Sequence, residues 1–191
     1  MKRTSIKTLL KKTSVCVFIF SISVQVFANN SLSEKEGPII NPLINALRLT
    51  NNAVSNKVAE TLLSLTKSKS SYDLHLRNAD LNYRQIKSIA EAIRTVHENG
   101  GPSLQSFSMS YNSNLGDEGV LILVKNLPQT ITEIGLVKSG IGDKGADALI
   151  RWSTNAKQLR WLCVEGNIFS NDIKDRLRKL GQENSDLLVV Y

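Results

Sequence analysis

Apolar residues recur in this chain with two alternating periods. "LRWLCVEGNIF" places Leu159, Leu162 and Val164 on one side of an extended segment, then Asn167 and Phe169. The same offsets fit Ile131, Ile134, Leu136, Ser139 and Ile141. With one inserted residue they also fit Leu104, Phe107, Met109, Asn112 and Leu115. A looser copy holds Leu74, Leu76 and Leu81, with Ser71 in the first place and Ala79 where Asn is expected. Upstream, Ile44, Leu47, Leu49, Asn52 and Val54 match again. Spacing of two within "LxL" predicts a strand with one face buried.

Each pattern is followed by apolar residues at helical spacing: Ala59/Leu62, Ile86/Ile89, Val120/Leu123 and Ala146/Leu149. In the last copy Leu177 keeps the second position, while Lys174 fills the first beside Ile173. The chain therefore reads as strand–turn–helix units starting at 44, 71, 104, 131 and 159. The wide step from 71 to 104 contains "HENGGPS", a loop insertion, and "LLVVY" from Leu187 reads as a closing strand. One such unit cannot bury its own apolar face, so neighbours must stack.

These residues resemble leucine-rich repeats of the ribonuclease-inhibitor type, which share the LxxLxLxxNxL stretch followed by a long helix. The resemblance covers residues 44–191, about five repeats and the closing strand. It implies an α/β solenoid, a curved stack with parallel strands on the concave side and helices on the convex side. It also implies an asparagine ladder, here incomplete because Ser139 and Ala79 replace Asn in two copies.

Gly-Asp-x-Gly occurs twice, at 116–119 and 142–145, where each unit passes from turn to helix. Asp117 and Asp143 are expected to cap the free N–H groups of the helices they begin. A calcium loop would need further oxygen ligands at alternating positions, and a phosphate loop a Gly-rich run ending in Lys-Ser or Lys-Thr. Neither is present, so the motif reads as a joint, and no metal or cofactor is expected.

Residues between the inward Leu positions should face solvent on the concave side. The candidate contact residues are Asp73, His75, Arg77, Ser108, Glu133, Trp161, Cys163 and Glu165. An enzyme using His75, Ser108 and Cys163, a small hydrolase or thiol enzyme, is the alternative to a binding face. Cys163 and His75 would lie three strands apart, about 14 Å, far beyond the roughly 3 Å of proton transfer. Parallel side chains on a sheet also supply no oxyanion hole. Trp161 is either a contact residue for a partner or is covered by the terminal strand.

Charge changes meaning once the first 28 residues are set apart. "MKRTSIKTLLKKTS" carries five basic residues and no acid, and "VCVFIFSISVQVFA" ends with Val26 and Ala28 at cleavage-site positions. This describes a secretory signal peptide over 1–28, its apolar run too short for a lasting membrane span. A flexible leader and N-terminal cap follow over 29–43. The full chain has 24 Lys+Arg against 17 Asp+Glu. Without the leader's five, 19 remain against 17, a net of +2. Nucleic-acid binding loses its electrostatic basis. Cys163 would be the mature chain's one thiol, and no Cys/His set has zinc spacing. The expectation is an exported bacterial scaffold, periplasmic or secreted, that binds a protein partner without catalysis and without membrane insertion once the signal is cleaved.

Overall fold

The computed structural model describes residues 39–64 and 70–191. Residues 1–28, read above as a signal peptide, and residues 29–38 of the leader lie outside them. Pro38–Tyr191 form one compact unit. Its elements in chain order are α1 (Asn41–Arg48), α2 (Ala53–Leu63), β1 (Ser71–His75), α3 (Tyr83–Glu98) and β2 (Ser103–Ser108). Then come α4 (Gly116–Asn126), β3 (Glu133–Gly135), α5 (Asp143–Asn155), β4 (Trp161–Cys163), α6 (Asn171–Glu183) and β5 (Leu188–Val190). The five strands form one parallel sheet in sequence order, β1 to β5. The protein is thus α/β, with a helix between each pair of successive strands.

The strand patterns at 104, 131 and 159 occupy the expected register. Phe107 stands opposite Ile134, and Ile134 opposite Leu162. These three, with Leu74, are fully buried and form the sheet's contribution to the core. The helices close the other side. In α3, Ile86, Ile89, Ala90, Ile93 and Val96 are all buried at helical spacing, and Asn82 with Gln85 forms a reciprocal capping box.

Three expectations need correction. The first pattern, from Ile44, is not a strand but α1. Leu43 precedes Ile44, so Leu43, Ile44 and Leu47 lie at i, i+1 and i+4 and bury one helical stripe, with Pro42 in the first turn. Leu49, the third position of the supposed strand, is 77% exposed. Second, Ser71 does not fill the inward place of its strand. Tyr72 does, opposite Leu104, and a β-bulge at Gln105 restores register so that Asp73 pairs with Ser106. Burial pushes the Tyr72 hydroxyl well above its ordinary pKa. Third, the wide step from 71 to 104 is not absorbed by a loop alone. α3 has 16 residues against 11 in α4 and 13 in α5, so part of the extra chain is helix.

The turn after each strand repeats one backbone feature. Seven residues beyond each register position stands a left-handed residue: Asn51, Asn78, Tyr111, Lys138 and Gly166. The feature survives at Asn51 even though its strand has become a helix. Next to it comes the ladder position. Asn112 is buried, and its Oδ1 accepts from the N–H groups of Ala79 (3.2 Å) and Leu81 (3.4 Å). Its Nδ2 donates to the carbonyls of Leu76 and Met109, both at 2.8 Å. Asn167 does the same two turns on, accepting from the N–H groups of Ser139 and Ile141 and donating to the carbonyls of Leu136 and Val164. Between them, Ser139 has a single proton to share between the Met109 and Val137 carbonyls and, unlike Asn112 and Asn167, accepts from no backbone N–H of the preceding turn, which is how the ladder is thinned there.

The Gly-Asp-x-Gly joints cap, but not their own helices. α4 begins without a side-chain cap. Asp117 instead reaches the next helix, where Oδ1 accepts from Gly142 N (2.7 Å) and Gly145 N (2.9 Å). Asp143 likewise accepts from Ser170 N at 2.8 Å, ahead of α6. Both glycines give the carboxylate room: a Cβ on Gly145 would sit 2.7 Å from Asp117 Oδ1 and 3.0 Å from its Cα.

Candidate functional site

One face of the sheet carries the helices and the other carries short polar rows. Strand pairing lines up Asp73, Ser106, Glu133, Trp161 and Leu188 as one row. The next row is His75, Ser108, Gly135, Cys163 and Val190. Beyond the strand ends, Arg77, Ser110, Val137 and Glu165 continue the face. Every residue singled out from sequence therefore lies on this surface. The structure also adds Leu188, which sequence reading treated only as part of a closing strand.

Hydrogen bonds divide the face into two parts. On the β1 side, His75 Nε2 lies 2.8 Å from Ser106 Oγ, and Ser106 Oγ donates to Glu133 Oε2 at 3.0 Å. Asp73 Oδ1 accepts from Ser106 N at 3.2 Å. Because the single serine proton goes to Glu133, the ring nitrogen must be the donor to Ser106. A histidine that gives a proton to serine cannot also take one from it, so this relay is polarised against nucleophile activation. Ser108 is turned elsewhere, donating to Ser110 Oγ at 3.3 Å. His75 and Ser108 stand side by side on β1 and β2 without a hydrogen bond between them, and Cys163 lies two strands further on.

On the β5 side the face is apolar. Trp161 is 48% exposed and Leu188, its direct partner on the next strand, 53%. The terminal strand lies beside Trp161 rather than over it, and Leu188 widens the patch instead of sealing it. Cys163 and Val190 stand half-buried next to the pair. Arg160, adjacent in sequence, turns to the carbonyls of Lys157 and Leu159. Trp152, by contrast, is buried, on α5.

Ion pairs are distributed unevenly between the two sides of the molecule. Among the described residues every one joins helix residues, from Arg48–Glu60 to Lys179–Glu183. Three of them stitch neighbouring helices: Arg48 to Glu60 at 2.7 Å, Lys144 to Glu118 at 2.6 Å, and Arg176 to Asp147. Asp73, Arg77, Glu133, Lys138 and Glu165, on the sheet face and its rim, take part in none. Among the described residues, no group of three or more His, Cys, Asp or Glu side chains is placed to hold a metal ion. No helix there is long and apolar enough to cross a membrane.

At the rim, Arg77 and Lys138 share one aromatic ring. The Arg77 guanidinium lies 4.2 Å from the centroid of Tyr111, and Lys138 Nζ lies 5.7 Å from it. Sequence reading found Arg77 but missed the other two, because nothing in a linear pattern marks turn residues as stacked. The available signal was the left-handed position itself, filled by Asn or Gly in three turns and by Tyr111 and Lys138 in two. No family model matches the chain, and no curated protein matches it either.

Proposed function

We propose that this chain is an exported, non-catalytic interaction protein, a short solenoid of repeats similar to leucine-rich repeats. It binds a protein partner on the open face of its sheet. The supporting observation is the pairing of Trp161 with Leu188, two large apolar side chains exposed side by side on adjacent strands. An apolar pair of this kind, rimmed by charges that have no ion partner among the described residues, suits a contact that loses its water only on binding. The helix side suits solvent, since the ion pairs among the described residues all lie there. The hydrogen-bond polarity at His75 and Ser106 speaks against the hydrolytic alternative.

Affinity capture with the full chain, followed by calorimetry on the captured partner, tests this reading. Trp161→Ala should weaken binding by about 2 kcal/mol or more, and Lys174→Ala on the helix side should change it little. Unchanged affinity for Trp161→Ala beside a large loss for helix-side variants would move the contact to the other face. Export rests on the leader over 1–28 and is tested separately by mass spectrometry. The exported protein should begin at Asn29, and a species retaining Met1 would remove that part of the proposal.

A further inference from the structure

The left-handed turn position holds the observation that reaches furthest. Apart from achiral Gly and the tolerant Asn, a residue adopts it at a cost of about 1 kcal/mol or more. Three of the five turns use Asn51, Asn78 and Gly166, which take it cheaply. Tyr111 (φ +62°) and Lys138 (φ +48°) do not, and they are consecutive. The neighbouring turn makes room for them, since a Cβ on Gly166 would meet Lys138 Cγ at 2.7 Å. The outcome is that Tyr111, 37% exposed, carries Arg77 and Lys138 on its ring. Neither cation has a carboxylate within ion-pair distance among the described residues.

We propose that the Arg77–Tyr111–Lys138 stack is a pre-formed receptor for an acidic side chain, Asp or Glu, of the protein segment that lies on the sheet face. This rests on the binding reading above and names the chemistry of one end of the partner. Stacking on the ring fixes the guanidinium plane while leaving its N–H edge free to grip a carboxylate. The ammonium of Lys138 adds a second positive charge on the same ring. A polyanion such as nucleic acid is a poor fit, because Asp73, Glu133 and Glu165 lie on the same surface and would repel it. A single acid at the rim, with an apolar side chain over Trp161 and Leu188, complements what each region offers.

Random peptides displayed against the full chain, with one enriched sequence then synthesised, provide the test. Enriched peptides should carry Asp or Glu beside apolar residues. Replacing that acid by its amide should weaken binding about tenfold, the scale of one charge-assisted pair. The double variant Arg77→Gln, Lys138→Gln should show the same loss and no further loss with the amide peptide. Tyr111→Asn separates recognition from stability: it keeps the left-handed turn, so the melting temperature should hold or rise while acid preference disappears. A stack that merely braces the fold would instead lower the melting temperature and leave peptide choice unchanged. Peptides without acids that still depend on Trp161 would overturn this inference and leave the binding face standing. Peptides indifferent to Trp161→Ala and to the stack, or no enrichment at all, would sink both.

Discussion

The carboxylate of Asp117 sits 2.9 Å from the backbone nitrogen of Gly145, 28 residues further along the chain. An acid at the start of one helix therefore caps the next, and the glycine is there so that the acid can arrive. Asp117→Ala should cost about 1 kcal/mol, the usual loss of an N-cap. The change should appear in α5, as faster hydrogen exchange at Gly142 and Gly145, with little effect in α4. Faster exchange confined to α4 would show that Asp117 caps its own helix in solution. Gly145→Ala should be at least as damaging, because its Cβ would press on Asp117 and on Ile141 Cγ2 at 2.9 Å.

Asn112 should be among the costliest polar residues to remove. Asn112→Ala leaves the N–H groups of Ala79 and Leu81 and the carbonyl of Leu76 without their partner in a buried turn. At about 1–3 kcal/mol for an abandoned buried group, a loss of about 3 kcal/mol is expected by chemical denaturation. Asn112→Asp should not rescue it, since a carboxylate cannot donate to Leu76 and Met109. A loss below about 1 kcal/mol would mean that water replaces the side chain.

Acid should loosen the α5–α6 contact before it reaches the core. Asp147 is held below the usual carboxylate range, chiefly by the hydrogen bond from Arg176, with Arg151 assisting. A carboxyl depressed in the folded state stabilises it above the unfolded pKa of about 4 and loses that effect as pH falls through the lower folded value. Asp147→Asn should therefore lower the melting temperature at pH 7 and make progressively less difference below about pH 4. A gap that persists at pH 2 would assign the effect to packing rather than charge. Asp143, lowered by its backbone hydrogen bond from Ser170, should follow the same course.

The periodic positions at 104, 131 and 159 were readable because "LxL" with a buried face has one sensible conformation when Gly or Asn follows. The copy at Ile44 was not, since Leu43 completes a helical stripe that the strand template ignores. Tyr72 was hidden for a similar reason: a bulge at Gln105 changes which residue faces inward, and bulges leave no mark in hydropathy. Of the candidate face, the rows could be drawn by counting in twos, and Trp161 stood out by type. The His75–Ser106 bond and the stack on Tyr111 depend on side chains of different strands and turns meeting diagonally, and the exposure of Leu188 on what lies beside the last strand, which counting along one strand does not reveal.

The two kinds of fastener described above point in opposite directions. Asn112 and Asn167 reach back to hold the preceding turn, while Asp117 and Asp143 reach forward to the following helix. An interior turn is thus latched by residues that do not belong to it, and releasing it means disturbing both of its neighbours. Opening would travel inward from an edge like a zip rather than appear as a bubble in the middle. The exposed face, strung across several turns, would keep its outline until the fraying reached it.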